Sequence, residues 1–159
     1  MDNNFIRADS IRPFLLIVIT CLLLSCDSPI YSPVPSALVN FELNLNYADS
    51  DLVPALAAKS FTKPRLSTDR LGFGGVLVVN GYGSGLLNLF AYDLACPYEV
   101  DRNVTVIPDN MGKARCPKCG SVYITMWGTG VPEKGSVSKY PLRSFAVRRS
   151  SESVFLVVN

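Results

Sequence analysis

Residues 95–123, ACPYEVDRNVTVIPDNMGKARCPKCGSVY, put a Cys-Pro loop at each end of a segment that reads as a β-hairpin. The first loop is Cys96-Pro97-Tyr98 and the second is Cys116-Pro117-Lys118-Cys119-Gly120-Ser121. Two cysteine loops carried on one hairpin are a way to hold a metal ion or a disulfide. The chain has five cysteines and no histidine, so any metal here must be held by sulfur and oxygen. That absence constrains the chemistry more than any other feature of the 159 residues.

The remaining cysteines, Cys21 and Cys26, lie near the N terminus. Residues 1–26 read as a targeting segment, with Arg7 and Arg12 ahead of a run, Phe14 to Leu24, that is apolar except for Thr20 and Cys21. A helix rising ~1.5 Å per residue over such a run is too short for a ~30 Å hydrocarbon core, so a signal peptide fits better than an anchor helix. Leu23-Leu24-Ser25-Cys26 matches a bacterial lipobox, in which the cysteine becomes the lipidated first residue after cleavage. The expected organisation is a signal peptide over 1–25, acylated Cys26 with a Pro-rich tether over 26–38, and a domain over 39–159. Acyl chains would hold that domain to a membrane of the bacterial envelope, outside the cytoplasm. Pro29, Pro33 and Pro35 make the tether a stiff spacer.

Charge argues against one class of partner. Fifteen Lys and Arg stand against thirteen Asp and Glu, a net charge of +2. Removing residues 1–25 takes two charges of each sign (Arg7, Arg12, Asp2, Asp9) and leaves that balance unchanged. Nothing in it favours nucleic acid.

From Val39 the apolar residues alternate. Phe41, Leu43, Leu45 and Tyr47 interleave with Glu42, Asn44 and Asn46, the period of a half-buried strand. Pro54 and Pro64 interrupt residues 49–66, which read as a loop crossing to a second sheet. Val76 to Val79 and Leu86 to Tyr92 read as strands around Gly81, Gly83 and Gly85. These glycines are one residue short of G-x-G-x-x-G and run into a strand rather than a helix, so they read as a hairpin loop and not a nucleotide site. Short strands follow at 104–107, 113–115 and 121–125, then a Gly/Pro-rich loop over 127–142 and a closing hairpin from 145–149 to 154–158. No stretch after the leader has a helical period, and the expectation is an all-β domain.

The motifs CPY and CPKCGSVY, the YDLACP lead-in and the Gly/Pro loop before a terminal hairpin resemble the Rieske iron–sulfur family, over nearly all of residues 40–159. The similarity is greatest to small Rieske-type envelope lipoproteins. It implies antiparallel sheets with a small rubredoxin-like two-loop subdomain, here about residues 93–125. It also implies ligand positions at Cys96, Tyr98, Cys116 and Cys119. The family has histidine where this chain has Tyr98 and Cys119, so a centre with two thiolates and two imidazoles cannot form.

Three fates of the site stay open. One is a 2Fe-2S cluster with unusual ligands, Cys96, Cys116 and Cys119 with the Tyr98 phenolate, in an electron-transfer protein. Another is zinc on the three cysteines, with Glu99 or Asp101 supplying oxygen, since CPKCG is half of a zinc-ribbon knuckle. The third is a disulfide, Cys116–Cys119 or Cys96 with either, in a fold that has lost its cofactor and serves as a binding or structural module for an unknown envelope protein. Arithmetic of ligands favours the third. Asp93 and Glu99 flank Cys96 without forming an acid–base pair, and no serine–histidine arrangement exists, so hydrolase chemistry finds no support. Tyr123, Trp127 and Tyr140 are expected to pack, and Lys118 to pair with an acid or face solvent.

Overall fold

The computed structural model describes residues 30–83 and 87–159. The expected signal peptide and the lipidated Cys26 lie outside them. Among the described residues no helix is long and apolar enough to cross a membrane.

The chain is all-β, as its periodicity predicts. Its strands are β1 (Val39–Asn44), β2 (Ala58–Phe61), β3 (Arg70–Leu71), β4 (Val76–Asn80), β5 (Leu89–Asp93) and β6 (Ile107–Pro108). There follow β7 (Lys113–Arg115), β8 (Val122–Ile124), β9 (Val131–Pro132), β10 (Ser144–Arg149) and β11 (Val154–Val158). Seven of them form one antiparallel sheet in the order β2-β4-β5-β10-β11-β1-β3, and β6-β7-β8-β9 form a second, small sheet.

The large sheet curls until it is nearly a barrel. Strand β10 makes the corner: Ser144 and Phe145 pair with β5, while Ala146 to Arg149 pair with β11. Phe41 of β1 and Phe61 of β2, with four strands between them in the order, meet with ring centroids 4.9 Å apart. An acid clasps the same seam. Asp49 is fully buried, accepts the Asn44 N–H at 2.9 Å, and faces Arg65 at 3.0 Å and Lys59 at 3.2 Å. Residues 49–66, expected to be a crossing loop, thus contain a short 3-10 turn (Ser50–Leu52) and β2, an edge of this same sheet. Two prolines and only four paired residues hid the strand.

Strand β4 organises two cores. Val76 and Val78 face the barrel interior with Phe41, Leu43, Leu52, Phe155 and Val157. Leu77 and Val79 face the other way, against Tyr92, Leu94, Val106, Ala114, Tyr123 and Leu142. All five β4 residues are buried. A strand covered on both faces must be apolar at every position, which is why VLVV shows no alternation. By contrast β1, with one solvated face, buries Val39, Phe41 and Leu43 and exposes Asn40 and Glu42.

The Pro-rich stretch differs from the expected free spacer. Val34 is fully buried, and its carbonyl accepts the Arg143 Nε–H at 2.8 Å. The packed surface therefore begins by Val34 rather than at residue 39. The glycine turn behaves as the hairpin reading expected, since β4 and β5 pair antiparallel from Val76↔Asp93 to Asn80↔Leu89; residues 84–86 at its tip lie outside the described residues.

Candidate metal centre

The second core continues into the two cysteine loops, where Cys96 and Cys116 are buried and Cys119 is half-buried. Their three sulfurs all lie within 4.8 Å of one another. Cys96 Sγ and Cys119 Sγ are 3.7 Å apart across the two loops. All three thiols are free.

Each loop is a knuckle built the same way. Proline follows the first cysteine and holds φ near −65°, which starts a tight turn. The Val100 N–H closes the first loop on the Cys96 carbonyl at 2.9 Å, and the Gly120 N–H closes the second on the Cys116 carbonyl at 3.0 Å. Both closing residues are left-handed, Val100 at φ 51° and Gly120 at φ 73°. Glycine adopts that region without penalty, whereas valine does so under strain.

The lead-in to Cys96 is held by Asp93, which is fully buried. Its carboxylate accepts the N–H groups of Phe73 at 2.8 Å, Gly74 at 3.0 Å and Ala95 at 2.8 Å. Gly74 lies so close to Ala95 that a Cβ there would meet the Ala95 nitrogen at 2.7 Å. Asp93 thus docks the first loop onto the turn before β4. Burial raises its carboxyl above the usual range, opposed by those three N–H groups and by Arg143.

Polar groups surround the sulfurs. The Tyr123 hydroxyl is 3.3 Å from Cys96 Sγ, and the Cys119 thiol donates to Ser121 Oγ at 3.2 Å. Ser121 Oγ also accepts the Ser138 N–H at 2.9 Å, so the serine is locked in place. Burial raises the Cys116 thiol to about 11, with hydrogen bonds from Cys96 and Cys119 adding to the rise and the Lys118 and Cys119 N–H groups opposing it. Burial also acts to raise Cys119, but bonds from the Ser121 side chain and backbone, then Cys116 and Cys96, outweigh it, and this thiol lies below its ordinary value. The Tyr123 phenol is pushed up, chiefly by burial and then by its contact with Cys96.

Of the expected ligand positions, the three cysteines converge. Tyr98 instead sits at a loop tip, 52% exposed, and the tyrosine oxygen at Cys96 belongs to Tyr123. Asp101 turns its carboxylate onto the Asn103 N–H at 2.9 Å. Glu99 Oε2 meets Lys118 Nζ at 2.7 Å and joins the two loops. Tyr123, expected to pack, also reaches Cys96, and Ser121 and Ser138, absent from the expected site, complete its surround. In Ser121-Val122-Tyr123-Ile124 the residues with hydroxyls are buried while the aliphatic ones are partly exposed, the inverse of an ordinary strand, and the fold rather than the sequence pattern sets this. Trp127, expected to pack, is 54% exposed and meets the edge of Tyr82, centroids 5.6 Å apart.

The donor set suits a thiophilic ion. With zinc–sulfur bonds of about 2.3 Å, the edge of a tetrahedral site is about 3.8 Å. The 3.7 Å between Cys96 and Cys119 matches such an edge without a disulfide. No protein-family profile, curated protein or solved structure matches this chain.

Proposed function

We propose that this chain is a Rieske-like lipoprotein of the bacterial envelope that has given up its iron–sulfur cluster. Its thiol site holds one thiophilic ion, zinc, as a structural cross-link, and the domain acts by binding rather than by catalysis. One observation carries the metal reading: three free thiols within 4.8 Å of one another, supplied by two knuckles of the same build. A two-iron cluster divides its ligands between two irons, so thiolates on different irons stand across the rhomb of the cluster. Cys96 and Cys119, the positions that would serve different irons in a Rieske arrangement, are instead one tetrahedral edge apart. That separation supports a single ion. The lipid anchor rests on the Leu23-Leu24-Ser25-Cys26 motif and would tie the domain to a membrane surface facing an envelope protein.

Metal analysis with a visible spectrum, on full-length protein purified anaerobically, tests the reading. One zinc per chain and no colour is the expected result. Two irons with labile sulfide would make the protein an electron carrier with unfamiliar ligands. No metal, with two of the three thiols oxidised, would replace the ion by a disulfide.

A further inference from the structure

The two cysteine loops are equivalent beyond their cysteines. Cys96-Pro97-Tyr98-Glu99-Val100 and Cys116-Pro117-Lys118-Cys119-Gly120 share the proline, the closing N–H bond and the left-handed fifth residue. They share exposure too: the first residue of each is buried, the third exposed, the fourth half-buried and the fifth exposed. Under this correspondence Tyr98 matches Lys118, both pointing to solvent, and Glu99 matches Cys119. The fourth residue of the second loop is one whose sulfur joins the cluster.

Glu99 is also placed unusually for a carboxylate on a loop. Its side chain is only 12% exposed, against 62% for its partner Lys118. A carboxylate kept that far from water has to be paired with a charge or a metal. Its Oε2 holds Lys118, which leaves Oε1 available; neither oxygen lies within 4.8 Å of all three sulfurs in the metal-free chain, so the side chain must turn inward to reach an ion.

We propose that Glu99 is the fourth ligand position of the centre, so that the site is Cys96, Glu99, Cys116 and Cys119, two C-x-x-ligand knuckles closing on one divalent ion. This rests on the metal reading above. Three thiolates and a carboxylate around a divalent ion leave two negative charges, and Lys118, bound to the outer oxygen of Glu99, offsets one of them. The clasp that joins the loops in the metal-free chain then becomes the outer support of the ligand.

Cobalt(II) is the probe, because its visible spectrum counts thiolates and its titration gives affinity. Full-length reduced protein would be titrated as wild type and as Glu99→Cys, Glu99→Gln and Lys118→Met, with the metal-free stability of each measured by urea unfolding. Glu99→Cys should strengthen the thiolate-to-cobalt absorption and tighten binding. Glu99→Gln should weaken binding by at least about tenfold, the lower end of what even a lost supporting residue costs a metal site. Lys118→Met should cost markedly less than Glu99→Gln. If wild type binds cobalt but Glu99→Cys leaves the charge-transfer band unchanged, Glu99 does not face the ion and the proposal fails while the metal reading stands. Equal losses for Lys118→Met and Glu99→Gln would also overturn it, since Glu99 would then act only as a clasp. A wild type that takes up no cobalt would overturn the metal reading and this assignment together.

Discussion

Val100 and Gly120 are the same residue of two loops. Each donates its N–H to the carbonyl of the cysteine four positions back, at 2.9 and 3.0 Å, and each is left-handed, at φ 51° and 73°. The left-handed region costs a residue with a Cβ on the order of 1–2 kcal/mol, while glycine gives back ~0.5–1 kcal/mol through its freer unfolded chain. Val100→Gly should therefore leave stability unchanged or raise it by up to ~1 kcal/mol. By the same difference, Gly120→Val should lower it by up to ~1 kcal/mol. Urea unfolding of the pair is the measurement, and losses of equal size would show that the loops are not equivalent.

Asp93→Ala removes the acceptor of three N–H groups from a fully buried site. Buried donors left unpaired cost roughly 1–3 kcal/mol each, so a total loss of about 3 kcal/mol or more is expected. Because the Ala95 N–H is one of the three, the thiols should also react faster with a thiol reagent under native conditions. A destabilised variant with unchanged thiol reactivity would show that Asp93 does not position Cys96.

Asp49→Ala tests closure of the barrel seam. The acid holds the Asn44 N–H and faces Arg65 and Lys59, whose side chains remain 37% and 27% exposed. Both cations can reach water once released, so the loss should be about 2–3 kcal/mol rather than the ~3–5 kcal/mol of a fully buried pair. The drop should appear in thermal unfolding and persist at high salt, where an exposed pair would be screened.

The thiols give the metal-free protein a defined response to pH. Cys116 ionises at about 11 in the fold against an ordinary 9.0, so between those values the unfolded chain has lost a proton that the folded chain keeps. Stability must fall with rising pH across that window. Cys119 lies below its ordinary 9.0 and acts oppositely, adding stability as pH rises through its lowered value and up to 9. Unfolding followed against pH, with chelator and reductant present, should show a maximum near 9. Tyr92 and Tyr123, pushed above 10.0 mainly by burial, extend the fall to higher pH. Cys116→Ser should remove the fall between 9 and 10, at a lower overall stability. A wild-type curve that keeps rising through that interval would sink this account.

The class of fold was legible because its signals are local. Alternation in Phe41, Leu43 and Leu45 has the period of a strand wherever that strand goes, and no stretch after the leader carries a helical period. Strand β2 was not legible: AKSF carries too little pattern, and its place comes from pairing with Val76–Val79. The place of Val34 was not legible for the same reason, since one valine between prolines says nothing about the Arg143 side chain waiting for its carbonyl.

At the site, the sequence by itself determined the donor chemistry: three thiols on two Cys-Pro loops and no imidazole anywhere. Tertiary structure decided which oxygens accompany them. It put Tyr123 rather than Tyr98 at Cys96, turned Ser121 onto Cys119, and set Glu99 opposite Lys118. These relations depend on which position of one turn faces the other turn. That is set by the packing of β4, β5 and the small sheet around a shared core, and no spacing within either loop encodes it.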